Sequence, residues 1–280
     1  MESDLLDKFI ESALVEDIGD GDHTSLATIP SSLKGNARLL VKQNGVIAGI
    51  DIARKVFRKL DNYIVFEPLM SDGKTVKPGD VAFQVNGQVL AILQAERLVL
   101  NIMQRMSGIA TQTREYVDKL HGLKTKILDT RKTTPGMRLL EKYAVKTGGG
   151  ENHRIGLFDM ILIKDNHIDF AGGIENAIDM VQKYLALKNK KLKIEIEARS
   201  IDDVNTILKK GGIHRILLDN FTPEQTKIAV SIIGKKAETE SSGNITLENI
   251  RIYAECGVDY ISVGALTHQI KSIDLSLKAF

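Results

Sequence analysis

Over residues 4–15 the apolar side chains Leu5, Leu6, Phe9, Ile10, Ala13 and Leu14 recur every three or four positions. That spacing gathers them on one stripe and predicts an amphipathic helix. The stretch "ARLLVKQNGVIAG" alternates around Asn44-Gly45, a tight-turn dipeptide, and predicts a hairpin. "IDIARKVFRKL" predicts a helix and "YIVFEP" a strand, while "KPGDVAFQVNG" reads as turn, strand and turn. A long helix is predicted over 89–106, with Leu90, Leu93, Ala95, Leu98, Ile102 and Met106 among its apolar positions. The chain up to about Gly108 is therefore mixed α and β.

Beyond that point the rhythm changes. Short apolar runs rich in β-formers lie at 126–129, 160–163, 192–196, 215–218, 237–239 and 260–263. Between them come amphipathic stretches, including 173–187, 201–210, 223–234 and 247–256. Strands this short and apolar, alternating with helices, predict a parallel sheet covered on both faces. Six or seven such units point to a closed or nearly closed barrel rather than an open two-sided sheet.

Composition narrows the function classes. The 280 residues are 43% hydrophobic and 26% charged, as in a globular domain with a large core. A formal net charge of +2 argues against a general nucleic-acid binder, so any basic site must be local. One cysteine, Cys256, allows no disulfide within the chain and fits a reducing compartment. The opening "MESDLLDKFIESALVEDIGDGDHTS" lacks a basic start and apolar core, so no secretory leader is expected. No apolar run is long enough to span a bilayer.

In a parallel barrel the chemistry collects where strands end. "KILD" is followed by Thr130, Arg131 and Lys132, and "MILI" by Lys164, Asp165, Asn166 and His167. "KIEIEAR" ends at Glu197, "RILL" at Asp219 and Asn220, "AETE" at Ser241, Ser242 and Gly243, and "YISV" at Gly264 and Ala265. One polar strand end means only that the chain reaches water. Six that supply cations, acids and small residues point to a site. Ser242-Gly243 and Gly264-Ala265 precede predicted helices, where backbone N–H groups can approach a phosphate. Glu197 and Asp219 suit Mg²⁺, which takes one or two protein acids plus phosphate oxygens; the plainer alternative is pairing with a nearby Lys or Arg. "TGGGENHRIGL" must be a loop and presents His153 and Arg154. It is neither a dinucleotide fingerprint nor a P-loop. Together these groups suit a sugar-phosphate diphosphate and a second small polyanion, such as an aromatic dicarboxylate.

The blocks "ERLVLNIMQRMSGIAT", "DTRKTTPGMRLLEKYAVKTGGGENHRIGL", "DMILIKDNHI", "ILLDNF", "ESSGNITLENI" and "GVDYISVGALTH" resemble quinolinate phosphoribosyltransferase over nearly the whole chain. That resemblance implies an α/β sandwich domain over 1–107 and an incomplete α/β barrel over 108–267, with 268–280 packing back on the first. It implies a cytoplasmic enzyme of NAD synthesis. The reaction would join quinolinate and phosphoribosyl diphosphate into nicotinate mononucleotide, diphosphate and CO₂, with Mg²⁺. By matching positions, Thr130, Arg131, His153, Arg154 and Lys164 would bind quinolinate. Arg97 would reach in from a second subunit of a homodimer or larger homo-oligomer. Lys132, Ser242, Gly243, Gly264 and Ala265 would bind the donor. Lys132, Glu197 and Asp219 would act in catalysis, the two acids holding the metal. Two departures stand out: Ala198-Arg199 after Glu197, where Arg199 would add a cation near the metal, and Ser241 where the family often has Ala.

Other readings compete. A related transferase would take nicotinate or another acid, although Arg131, Arg154 and Lys164 together favour a dicarboxylate. A Schiff-base aldolase would use Lys132 or Lys164. A carrier-type binding module is suggested only by "VKPGDVAFQVNGQVLA", which lacks a central lysine.

Overall fold

The computed structural model describes residues 2–280, with side chains from Asp4 onward. Its contacts divide the chain into two compact units: Met1–Arg114 with Thr133–Gly149 and Leu266–Phe280, and Glu115–Lys132 with Gly150–Ala265.

The first unit begins with helices α1 (Glu2–Ile18) and α2 (His23–Thr28), then strands β1 (Lys34–Val41) and β2 (Gly45–Val46). Helix α3 (Ile50–Leu60), strands β3 (Val65–Pro68), β4 (Thr75–Val76) and β5 (Val81–Gln88) and helix α4 (Val89–Lys119) follow. An antiparallel sheet has the order β12-β1-β5-β3, with β12 (Leu275–Ala279) supplied by the end of the chain. Alternation in β1 buries Ala37, Leu39 and Val41. Phe57 of α3 meets Phe83 of β5 edge-on at 5.9 Å, and Phe66 stands 4.5 Å from Phe83. The Asp72 carboxylate accepts from the N–H groups of Gly49 and Ile50 at 3.0 Å and so caps α3 from a distant loop.

The expected hairpin is not formed. β2 pairs with β4, while β1 pairs with β5 and β12. Gly45 does not turn the chain in a left-handed conformation. It lets the backbone approach α4, where a Cβ would stand 2.8 Å from Thr111 Oγ1, and Val46 N–H donates to that hydroxyl at 2.8 Å. The turn expected after β5 is also absent, because β5 runs directly into α4. That helix continues past Met106 to Lys119.

The second unit starts with β6 (Lys126–Leu128). Helix α5 (Arg138–Gly148) belongs to the first unit and stops at Gly149, whose φ of 100° is left-handed. Next come β7 (Ile161–Ile163), α6 (Asp165–Ala171), α7 (Ile174–Leu187), β8 (Ile194–Ala198), α8 (Ile201–Lys210), β9 (Arg215–Asp219), α9 (Pro223–Ile233), β10 (Glu238–Ser242), α10 (Ile250–Glu255), β11 (Tyr260–Ser262) and the single turn α11 (Ala265–His268). α8 begins under the Ser200 hydroxyl, and α9 under a reciprocal Thr222–Gln225 cap with Pro223 in its first turn.

All six strands are parallel, in the order β6-β11-β10-β9-β8-β7. The sheet does not close. Beyond β6 a single bridge, Leu128 to Glu151, continues it, so the loop after α5 stands where a further strand would. β8 lies two residues later than its apolar run suggests, and β10 runs on to Ser242. Both keep hydrogen bonding to β9 through acidic and hydroxyl positions.

Register decides which side chains share a face. Glu195, Arg215 and Glu238 lie level on adjacent strands, as do Glu197, Leu217 and Glu240, and then Asp219 and Ser242. These side chains form the inner face. Ile194, Ile196, Ile216 and Leu218 alternate to the other face and are buried.

Candidate active site

After β6 the chain turns sharply. Asp129 is fully buried and accepts from Asn152 Nδ2 at 2.6 Å and from the His153 N–H at 2.9 Å. Thr130 Oγ1 accepts from the Lys132 N–H at 3.1 Å, which tightens the turn and leaves Lys132 exposed. Arg131 is half-buried, and its enclosed Nε finds no partner among the described residues.

Arg154 is buried at 9% exposure and donates from Nη1 to the Met160 carbonyl at 3.2 Å. Burial first, and then the charge of Arg131, push its pKa down. Two guanidinium groups close enough to repel, one with an enclosed donor unused, make a receptor for an anion. Lys164 follows β7, with Nζ 3.3 Å from Glu197 Oε1.

His153 lies in the same loop, but its ring turns inward. Nδ1 accepts from the Arg154 N–H at 2.7 Å. Nε2 faces two buried carboxylates, 2.9 Å from Glu195 Oε2 and 3.6 Å from Glu240 Oε2. His153, Glu195 and Glu240 form one tight cluster, with Arg215 donating to Glu240 Oε2 at 2.8 Å and lying over the Tyr260 ring. Burial pushes the pKa values of both carboxyl groups up, and Arg215 opposes it in each. The strand ends do not disclose this cluster. Its only trace in the sequence is the acid at alternate positions in "IEIEA" and "ETESS".

Glu197 is 7% exposed and also accepts from the Asp165 N–H at 3.0 Å. Asp219 ends the neighbouring strand and accepts from Asn220 Nδ2 at 3.0 Å. Glu197 is thus paired with Lys164, the plainer of the two expectations, and the two acids would still offer hard oxygens to a Mg²⁺ ion. Arg199 adds little charge there, because it pairs with Asp169 at 3.0 Å and lies 3.8 Å from Asp203.

Ser242 and Gly243 end β10. Gly243 is required twice over: its φ is 95°, and a Cβ would stand 2.1 Å from Asn220 Oδ1. No helix starts there, since α10 begins only at Ile250, so any phosphate donors at this turn lack a helix end behind them. Gly264 lies between β11 and the one-turn α11, which Ala265 begins. Arg97 is exposed on α4 in the first unit. A cleft of about 340 Å³ beside β7 includes Arg154, Met160, Leu162, His167 and Met180 in its lining. It is largely apolar and holds none of the acids.

Comparison with known proteins gives a family match along the chain. Residues 22–107 match the family described as quinolinate phosphoribosyl transferase, N-terminal domain, and residues 109–278 match its C-terminal domain. The rice protein "Nicotinate-nucleotide pyrophosphorylase [carboxylating], chloroplastic" is 46% identical over 96% of this chain and 76% of its own. The Nicotiana tabacum "Quinolinate phosphoribosyltransferase [decarboxylating] 1b" is 44% identical over 96% and 81%. Among solved structures, the nicotinate-nucleotide pyrophosphorylase from Francisella tularensis has a TM-score of 0.91 at 42% identity, covering 99% of this chain and 96% of that one. NadC from Streptococcus pyogenes has a TM-score of 0.91 at 36% identity, covering 98% and 97%.

Proposed function

Because the chain belongs to the quinolinate phosphoribosyl transferase family, we propose that it transfers phosphoribosyl from phosphoribosyl diphosphate to quinolinate with decarboxylation. The products are nicotinate mononucleotide, diphosphate and CO₂, a step of NAD synthesis. The observation that carries the reading is the Arg131–Arg154 pair, with its enclosed and unused Nε. A planar dicarboxylate is the ligand such a pair fits best, because each fork can take one carboxylate.

Arg131, Arg154 and Lys164 bind the acceptor, with Thr130 at its edge. They hold the pyridine nitrogen toward the ribose carbon that loses diphosphate. Lys132, on the exposed side of the same turn, takes the diphosphate. Ser242, Gly243, Gly264 and Ala265 give small, closely approachable backbone to the donor phosphates. Glu197 and Asp219 hold Mg²⁺, which when bound neutralises charge on the departing diphosphate. Catalysis is then mainly positioning and electrostatics. Once the ring nitrogen is alkylated it is cationic. The neighbouring carboxylate leaves as CO₂, its electron pair stays on the ring carbon, stabilised by the adjacent nitrogen, and that carbon then takes a proton from water to give the nicotinate ring. A cation that holds the remaining carboxylate keeps the ring in place through this second step.

Arg97 completes the acceptor pocket from a second copy of the chain, in a homodimer or larger homo-oligomer. Its exposure on α4, inside the block "ERLVLN", supports this role. A cytoplasmic location fits the free Cys256, and among the described residues no helix is long and apolar enough to cross a membrane. The near-neutral charge agrees with small-molecule partners rather than nucleic acid.

The test is direct. With Mg²⁺, CO₂ and diphosphate should appear only when quinolinate and phosphoribosyl diphosphate are both present. Equal or better turnover of nicotinate would overturn the acceptor. Arg97→Ala and Lys132→Ala, inactive apart, should recover activity when their subunits exchange. No recovery after proven exchange would remove the shared site.

A further inference from the structure

The loop that carries Arg154 has little backbone support. Among the described residues only the Leu128–Glu151 bridge ties it to the sheet, at an edge where no complete strand follows. Its register must therefore come from side chains. Asp129 holds it from one side through Asn152 and the His153 N–H. On the other side stands the His153 ring.

The hydrogen bonding of that ring fixes its tautomer. Nδ1 accepts the Arg154 N–H, so it carries no proton, and the single ring proton lies on Nε2. An imidazolium would set two donors against each other at 2.7 Å. Nε2 lies 2.9 Å from Glu195 Oε2 and 3.6 Å from Glu240 Oε2, so Glu195 is the nearer acceptor for its proton. Both acids are fully buried, and neither oxygen of Glu195 has a well-aligned partner among the described residues. Barrel interiors are usually filled by branched aliphatic residues. A polar layer this poorly satisfied is costly to keep, and here it lies directly beneath the loop of the anion receptor.

We infer that Glu195, with Glu240 behind it, is a positioning residue for the acceptor: it holds neutral His153 by Nε2–H, and His153 in turn fixes the backbone of Arg154. His153 thereby acts through the protein rather than as a direct ligand of the substrate carboxylate. Arg215 sits beneath the layer and orients Glu240. The inference rests on the acceptor reading given above, but its first test does not.

In the substrate-free protein, ¹⁵N-histidine NMR should show His153 neutral, with its proton on Nε2. An Nδ1–H tautomer or an imidazolium would overturn the inference, whatever the enzyme turns over. The second test compares Glu195→Met, similar in size without an acceptor, with Glu195→Gln, which keeps a carbonyl for Nε2–H. Glu195→Met should raise the acceptor KM roughly tenfold or more and leave the donor KM unchanged. Glu195→Gln should recover most of that loss. Equal defects in the two variants, or parallel changes in both KM values, would reduce Glu195 to a structural residue. Absence of quinolinate turnover by the wild-type protein would overturn the acceptor reading alone and leave the tautomer result standing.

Discussion

The two sheets use their interiors in opposite ways. The antiparallel sheet of the first unit buries Leu39, Val41 and Phe83, and its Phe66 and Phe83 meet Phe57 of α3, an apolar filling with aromatic contacts. The inner face of the parallel sheet instead carries Glu195, Arg215, Glu238, Glu240 and Tyr260 beneath Glu197, Asp219 and Ser242. Leu217 shares that face, while Ile194, Ile196, Ile216 and Leu218 lie on the other. Hydrophobic burial stabilises either arrangement, but only the second keeps ionisable groups in a dry, fixed place. The first interior should therefore answer to stability measurements and the second to chemistry.

The largest effect expected is in the first sheet. Phe83 is fully buried and touches both aromatic neighbours, so Phe83→Ala should cost about 3–5 kcal/mol in urea unfolding. The KM values of the protein that remains folded should not change. A shifted acceptor KM at unchanged stability would break the contrast.

Arg131→Ala should do the reverse. Losing a charged anion contact lowers kcat/KM for quinolinate by roughly 100-fold, the worth of one strong charge-assisted bond. Melting temperature should hold or rise, because Arg154 loses a repelling neighbour. A marked drop in melting temperature would mean that Arg131 is a structural cation.

The acidic layer should also mark the pH profile of stability. Burial first, then the charge of Glu195, push Glu240 from 4.5 to about 7, against the pull of Arg215. Between those values the folded chain keeps a proton that the unfolded chain releases. Stability must then fall as pH rises through that window. Glu240→Gln binds no proton in either state, so the fall in melting temperature across the same range should lessen, with the remainder belonging to Glu195, which burial raises into the same window. An unchanged slope would assign the titration to other groups.

Much of this was legible in the residues. α8 and α3 follow their apolar stripes closely, and β6, β7, β9 and β11 follow their apolar runs, whereas β8 and β10 extend beyond theirs. The hairpin at Asn44-Gly45 was misleading because a local turn signal lost to pairing with β4 and to the approach of Gly45 to Thr111. Arg131, Lys132, Lys164, Glu197 and Asp219 could be picked out because each stands at or next to the end of an apolar run, and Arg154 because a glycine-rich loop presents it. Glu195 and Glu240 could not. Alternating acids in a short strand read equally well as a solvent face, and only the register with β9 turns them inward. The inward turn of His153 depends on a contact between distant strands and a loop, which no local pattern encodes.

The smallest effect expected separates the two faces of one strand. Ser241 lies between Glu240 and Ser242 but points the other way, level with Leu218 and Ile261. It is 1% exposed, and its Oγ has no hydrogen-bond partner among the described residues. An unsatisfied hydroxyl among apolar neighbours costs free energy that a methyl group does not. Ser241→Ala should therefore raise stability by up to about 1 kcal/mol and leave both KM values unchanged. Loss of stability would mean that the hydroxyl has a partner, such as a buried water. A changed KM would mean that the helix-side face of β10 is coupled to the site, and that the two sides of this sheet are less independent than their register implies.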